Sequence, residues 1–401
     1  MLASVLYPYL QREAEKPYSG ESLLFRILVQ PDFGNDPVDL ARLLLYRRSI
    51  AGRKGADKVP LMPLLENPLV LYSLGLTHPE ILVMTGQLLS DWVAATKRGE
   101  RVDPETLPLA ALRARKPDFN PNRMVYIDLP EGALYKGYLR QMALSVSTLN
   151  KFLRCPLQFY YENILKVVTT EPVYFTFGKV MHTVLEEAFR FRKAQGVWPT
   201  LEAVLNIFEL ALEPSREELN PEAFEGYRVR GKSILERYYA ELIPEVHTDV
   251  EIEYVVPRVL LENRIPLTGR IDKLEFYPGS AKVVDYKTGN AENAFRKSGA
   301  PSPDNPLGGD YWRQMVFYKL LVEAETGQHG LVKTGVMEFL EREVGAPVRE
   351  EFTLTEADGK AVRQQVKEVW RKIQAGQFDR GCGRETCEWC GLVREAGIGV
   401  G

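Results

Sequence analysis

The sequence predicts an α/β protein, with helices packed around a mixed central sheet behind a mainly helical N-terminal region. Three observations carry that expectation. Residues 265–277 and 281–287 are rich in branched and aromatic side chains and flank a Pro278-Gly279 turn, so they read as a β-hairpin. Residues 250–261 and 332–341 read as further strands, the first carrying Glu251, Glu253 and Arg258. Residues 221–242, 311–325 and 356–375 space their apolar side chains as helices do. Pro221 suits a helix start, where its missing N–H costs nothing.

At 401 residues, two or three domains are expected. Before residue 144 the pattern is weaker. Residues 23–28 and 40–46 look like amphipathic helices, and 81–95 looks helical again. Residues 60–68 read as a proline-rich connector, 100–123 as a linker rich in Pro, Arg and Lys, and 124–129 as a short strand. There is no internal repeat. No Gly-x-x-x-x-Gly-Lys-[Ser/Thr] phosphate loop occurs, so no ATPase is expected.

The hairpin holds the main chemical signal. Asp272 and Asp285 are thirteen positions apart. Folding symmetrically about Pro278-Gly279 sets them opposite each other, with Cβ atoms about 5 Å apart. Lys287, two residues beyond Asp285, points to the same face. Two carboxylates and an ammonium on one face can hold a hard divalent cation beside a water molecule. They can also be a solvated face that Lys287 neutralises. The apolar neighbours Ile271, Leu274, Val283 and Val284 argue for partial burial, which is costly for unpaired carboxylates. Geometry alone leaves both readings open.

Other residues are individually weak signals. Val180, Met181, Val184, Leu185, Ala188 and Phe189 form one helical apolar stripe, and His182 flanks it. Glu186 sits one turn later, either behind His182 or simply exposed. Gln314 and Tyr318, four apart, share a helix face.

The cysteines divide sharply. Cys382, Cys387 and Cys390 cluster near the C-terminus, and Cys155 lies 227 positions before Cys382. Four thiolates fit a [4Fe–4S] cluster or a tetrahedral zinc, although a lone Cys-x-x-Cys carries little weight. Disulfides are not expected, because no secretory signal is read.

Taken in order, these elements resemble the nuclease domain of the RecB family, within the PD-(D/E)XK superfamily. The series runs from a Gly178-x-x-x-His182 helix through a Gly269-Arg270-Ile271-Asp272 strand and an Asp285-Tyr286-Lys287-Thr288-Gly289 strand to a Gln314-x-x-x-Tyr318 helix. The opening, Leu144-Ser145-Val146-Ser147-Thr148-Leu149-Asn150 and then Cys155-Pro156-Leu157-Gln158-Phe159-Tyr160-Tyr161, is similar to the phrase preceding the nuclease core in AddB-like subunits of bacterial helicase–nucleases. The resemblance covers roughly residues 144 to 390. It implies a restriction-endonuclease-like core over 144–401 with a cysteine-rich C-terminal staple. Residues 1–143 would be the remnant of a degenerate helicase domain.

The resemblance also implies roles. His182, Asp272 and Asp285 would be side-chain ligands of Mg²⁺ or Mn²⁺, and the Tyr286 carbonyl would complete the protein share. Lys287 would orient the attacking water and stabilise the developing phosphorane charge. Gln314 and Tyr318 would support the site or touch phosphate. Cys155, Cys382, Cys387 and Cys390 would hold a [4Fe–4S] cluster, with Zn²⁺ as the alternative. Here Cys382 precedes the Cys387–Cys390 pair, whereas the family's third cysteine usually follows it. The implied activity is that of a Mg²⁺-dependent deoxyribonuclease, exonucleolytic in type. It would process double-strand breaks for recombinational repair with an AddA-like helicase subunit. The alternatives are a catalytically idle Fe–S DNA-binding scaffold and a CRISPR-associated adaptation nuclease; the latter family is usually much shorter.

Charge and hydropathy set the outer limits. The formal net charge is −3, so a DNA partner needs local basic patches. Candidates are Arg47, Arg48, Arg53, Lys54 and Lys58, then Arg113, Arg115 and Lys116, although ordinary solvated loops explain each run equally simply. No apolar run reaches the roughly 18 residues of a membrane span, and no signal peptide is read, so no membrane partner and a cytoplasmic location are expected.

Overall fold

The strand patterns at 250–261, 265–277 and 281–287 close into one sheet through two short antiparallel connections. A computed structural model describes residues 2–52, 55, 58–103, 129–130, 132–169, 173–217, 219–241, 247–288, 297–341 and 349–395. Among these, β1 (Val250–Leu261), β2 (Ile265–Tyr277), β3 (Ser280–Lys287), β4 (Val332–Phe339) and β5 (Arg349–Thr353) lie side by side in that order. All neighbours are antiparallel except β3 and β4. A parallel pair needs a crossover, and the helix α4 defined below lies between β3 and β4 in the chain. At the tight turn between β2 and β3, Gly279 takes φ +73°, a conformation that glycine reaches without Cβ strain.

The chain forms two compact units. One gathers Met1–Met142, Ser147–Thr170 and Val369–Gly401; the other gathers Ala143–Val146 and Glu171–Glu368. The second holds the sheet. Helices α1 (Val173–Gln195), α2 (Leu201–Leu212) and α3 (Pro221–Glu241) enclose a core with Phe177, Met181, Val184, Phe208, Leu235 and Tyr238, and Tyr286 of β3 packs into it. The apolar stripe expected on α1 is buried throughout. Helix α4 (Asp310–Thr326) packs on β1 to β4. Gly269 admits it closely: a Cβ there would stand 2.5 Å from Leu321 Cδ1. Helix α5 (Glu356–Gln374) meets α4 through Trp312 Nε1, which donates to Asp358 (3.0 Å), and Arg313 Nε, which donates to Gln365 (2.7 Å).

Among these elements lies a buried ionic cluster. Lys273 sits 3.1 Å from Glu338 and 3.3 Å from Glu275, and Arg349 sits 2.7 Å from Glu275. Tyr238 donates to Glu338 at 2.5 Å. Two cations face two carboxylates, so each buried charge is paired, which is the condition for tolerating them.

The first unit is helical, as expected. Helices Leu2–Glu15, Glu21–Leu28, Pro37–Ala51 and Pro79–Lys97 bury Leu6, Leu24, Leu43, Leu44 and Leu89. Asp36 caps the third, accepting from the Val38 and Asp39 N–H groups. The 60–68 connector is corrected: it contains helix Met62–Leu65, and Pro68 begins helix Pro68–Ser73. Proline at a first helical position starts a helix rather than breaking one. Strand β5 and the helix Leu2–Glu15 had no sequence signal that singled them out.

Two basic candidates are also corrected. Arg47 is buried, with Nε donating to the Val59 carbonyl at 2.7 Å. Arg48 donates to the Asn163 (2.8 Å) and Ile164 (2.5 Å) carbonyls and stacks on Tyr138. Both hold chain segments together rather than presenting charge to a ligand. Arg53, Lys54, Arg113, Arg115, Lys116 and Gly289, nearly all of the 100–123 linker and most of the 124–129 strand lie outside the described residues.

Candidate active site

The β2–β3 register pairs Lys273 with Val284 and Leu274 with Val283. One step further sets Asp272 opposite Asp285, as the symmetric hairpin required. Both carboxylates are buried. Asp272 Oδ2 accepts from the Tyr286 N–H at 2.9 Å and lies 3.5 Å from His182 Nδ1. Helix α1 thus brings His182 to the hairpin, its ring edge-on to Tyr286.

Asp285 has different partners. Gln314 Nε2 donates to its Oδ1 at 2.7 Å, and Lys287 Nζ stands 2.5 Å from its Oδ2. Gln314 also accepts from Lys287 at 3.1 Å and donates to the Tyr318 hydroxyl at 2.9 Å. The four-residue spacing on α4 therefore builds a short polar chain from Tyr318 to Lys287. The Tyr311 ring lies 4.1 Å beneath the Lys287 ammonium.

Protonation follows from burial and charge. Burial, then the charge of Asp285, pushes the Asp272 carboxyl well above its ordinary 3.8. Burial works against the Lys287 ammonium, but the charge of Asp285 and a hydrogen bond to it outweigh this and raise its pKa. Lys287 is thus a firmly charged group and a poor proton acceptor. Burial, followed by the charges of Asp285 and Asp272, keeps the Tyr318 phenol protonated.

A family model of the PD-(D/E)XK nuclease superfamily matches residues 143–394, more than half of the chain. The chain belongs to the PD-(D/E)XK nuclease superfamily. None of the curated proteins matches it. Among solved structures it is similar to a proposed exonuclease of Eubacterium rectale, at 14% identity and a TM-score of 0.41, covering 66% of this chain and 92% of that one. It is also similar to the protein SSO0001, at 15% identity and a TM-score of 0.21, covering 50% of this chain and 86% of that one. Neither likeness is close enough to inform function.

The sequence Asp285-Tyr286-Lys287 lies at the end of β3. Superfamily nucleases usually use divalent metals, and the donors here, carboxylates and an imidazole, suit a hard cation. His182, Glu253 and Asp272 each place a ligand atom within 4.8 Å of the other two. Glu253 lies on β1, and its sequence pattern marks it only as a strand residue. Glu186 pairs with Arg190 at 2.5 Å, so it belongs to the surface of α1.

The four cysteines converge in the other unit, each Sγ within 4.8 Å of the rest. Cys155 Sγ is 3.9 Å from Cys390 Sγ, which is 3.8 Å from Cys382 Sγ. Cys155 follows helix Val146–Arg154, and Cys390 sits on helix Glu388–Glu395. Trp389 anchors that helix by stacking on Tyr161 and donating to Glu162 at 2.9 Å. Hydrogen bonds from Cys155 and Cys390 draw Cys387 towards thiolate, the metal-binding form. Such a tetrad is compatible with an iron–sulfur cluster or zinc. No described helix is long and apolar enough to cross a membrane.

The raised Asp272 carboxyl gives a stability prediction. Its charge is a cost in the folded state, absent below pH 3.8 and complete above its folded pKa. Asp272→Asn should therefore melt above wild type at neutral pH without added divalent cation, the gain shrinking as pH falls towards 3.8. Thermal melts across pH check this; a lower melting temperature for Asp272→Asn at neutral pH contradicts it.

Proposed function

We propose that this superfamily member is an active Mg²⁺- or Mn²⁺-dependent deoxyribonuclease, exonucleolytic in type. The carrying observation is the pair Asp272 and Asp285, buried side by side with Lys287 against Asp285. A fold does not accumulate buried like charges for stability. His182, Asp272, Asp285 and the Tyr286 carbonyl would be the cation ligands. A divalent cation there supplies Lewis-acid polarisation of the phosphate and lowers the pKa of bound water. Lys287, firmly protonated, orients the attacking water and counters charge developing on the phosphate oxygens. Gln314 fixes both Asp285 and Lys287, and Tyr318 fixes Gln314.

The wider role rests on the order of motifs and on the cysteines before and after the core. They support an AddB-like subunit that processes DNA double-strand breaks in recombinational repair beside an AddA-like helicase. Exposed Leu69 and Tyr72 on helix Pro68–Ser73 offer apolar surface in the unit where that partner would dock. The tetrad Cys155, Cys382, Cys387 and Cys390 would carry a [4Fe–4S] cluster in that same unit.

Three outcomes test these assignments. With Mg²⁺ or Mn²⁺, wild type should cut single-stranded DNA. Asp285→Ala and Lys287→Ala should each lose activity equivalent to roughly 3 kcal/mol or more of transition-state stabilisation, with far-UV circular dichroism unchanged. Wild-type cutting by Asp285→Ala overturns the catalytic reading. Purification from the native host should recover a protein bearing a phosphate loop; processing of duplex ends by the lone chain argues against that partner. Iron and acid-labile sulfide should be found in about the four-to-four ratio of a [4Fe–4S] cluster. Stoichiometric zinc replaces that assignment with a tetrahedral site, and a metal-free protein removes it. Metal binding adds to folding free energy, so Cys155→Ala should lower the unfolding midpoint.

A further inference from the structure

The last turns of α1 and the start of β1 enclose a groove of about 570 Å³, apart from the buried carboxylates. Its floor is aromatic. Trp198 stands edge-on to Phe189, with the rings 4.9 Å apart and at 83°. Phe189 is buried, whereas Trp198 is half-buried and open to the groove. Arg190, Arg192 and Lys193 make the rim cationic, against Asp249 and Glu251. Arg190 meets Glu186 at 2.5 Å and Glu187 at 3.2 Å, and Lys193 meets Glu251 at 2.8 Å. The Arg190 and Lys193 side chains are 64% and 68% exposed, so water screens these pairs and they exchange easily. Among the described residues Arg192 has no carboxylate partner; it donates to the Gly196 carbonyl. Basic residues in a last turn stabilise a helix end by themselves. They do not require a half-open indole beside them.

Helix α1 links this groove to the candidate active site. His182, Phe189 and Lys193 recur at helical spacing and share one face. His182 lies against Asp272, the Phe189 ring lies 5.4 Å from the Lys273 ammonium, and Lys193 lies against Glu251. The groove therefore opens roughly 16 Å along α1 from His182. We propose that it is a single-stranded DNA subsite, in which Trp198 stacks one base and Arg192 and Lys193 hold the phosphates on either side. The proposal rests on the nuclease reading and deepens it: the strand is gripped a few nucleotides from the bond that is cut. An indole stacks on any base, and cations follow the backbone whatever the sequence, so the subsite selects strandedness rather than sequence. A duplex keeps its bases stacked inside and offers Trp198 none. An acidic peptide would engage the cations but leave the indole face unused.

The probe is a fluorescent oligothymidylate, bound to the full chain without divalent cation so that binding is read apart from cutting. Trp198→Ala should weaken binding about fivefold or more, and Trp198→Phe should restore most of it. Lys193→Gln changes an exposed side chain and should keep the wild-type melting temperature. It should lower the slope of log affinity against log salt by about 0.7, the share of one phosphate contact on a single strand. A strand carrying one photoactivatable iodouracil should cross-link to Trp198 from a single position. Wild-type affinity in both Trp198→Ala and Lys193→Gln overturns the subsite. Equal affinity for a duplex, or for polyglutamate, overturns its assignment to a single strand. Adding Mg²⁺ or Mn²⁺ to the same wild-type samples separates the two readings. Cross-linking to Trp198 without cutting sinks the nuclease reading and leaves the groove a strand-binding site. Cutting, with binding unchanged in both variants, sinks the groove and leaves the nuclease reading.

Discussion

Like charge held in one line on a sheet face is the constraint around which the second unit is arranged. Hairpin geometry forces Asp272 and Asp285 together, and their repulsion is managed from three directions. The Tyr286 N–H and His182 attend to Asp272. Lys287 and Gln314 attend to Asp285. Tyr318 keeps Gln314 in place. Helices α1 and α4 approach the sheet closely enough to deliver these groups because small residues, Gly269 among them, clear their path. The paired Lys273, Arg349, Glu275 and Glu338 make a contrast. There opposite charges cancel, and the cluster needs nothing from outside. Between Asp272 and Asp285 they do not cancel, which is why one cluster reads as structure and the other as chemistry.

The two buried clusters also differ in what a proton does to them. In the Asp272–Asp285 pair, protonating Asp272 relieves repulsion, so the resting site favours a proton where a cation would serve. A divalent ion bound as proposed would therefore compete with protons for the same oxygen. In the paired cluster, burial works against the Glu275 charge but Lys273 and Arg349 outweigh it, and the carboxyl is held below its ordinary range. That group stays ionised through neutral pH with no ligand present.

Much of this was legible in the sequence because hairpin geometry is local. The turn at Pro278-Gly279 fixes the β2–β3 register, so the opposition of Asp272 and Asp285 could be counted residue by residue. Helical periodicity placed His182, Gln314 and Tyr318 on faces, though not opposite any partner. Glu253 was not legible, for a specific reason. From the β1–β2 turn, Leu261 pairs with Ile265 and Val259 with Leu267. Counting on without interruption would set Glu253 against Lys273, on the wrong face. The irregularity between Val256 and Val259 shifts the pairing by one, and Glu253 falls opposite Asp272 instead. No turn signal marks that bulge in advance. Arg47 and Arg48 misled for the converse reason: charge alone cannot tell a buried arginine that ties loops together from one offered to phosphate.

The segments that build each unit carry an implication for synthesis on the ribosome. The sheet unit closes with Glu368, so its strands and helices are all translated before Cys382 is made. The thiol tetrad, by contrast, joins Cys155 to Cys382, Cys387 and Cys390, all of which are translated after the sheet unit. The sheet that carries Asp272 and Asp285 is therefore free to assemble before the four thiols can meet. If the tetrad holds the metal proposed for it, cells short of that metal would accumulate chains whose Asp272–Asp285 pair is complete but whose thiols are bare. Such chains would be open to oxidation at those free thiols in the helical unit.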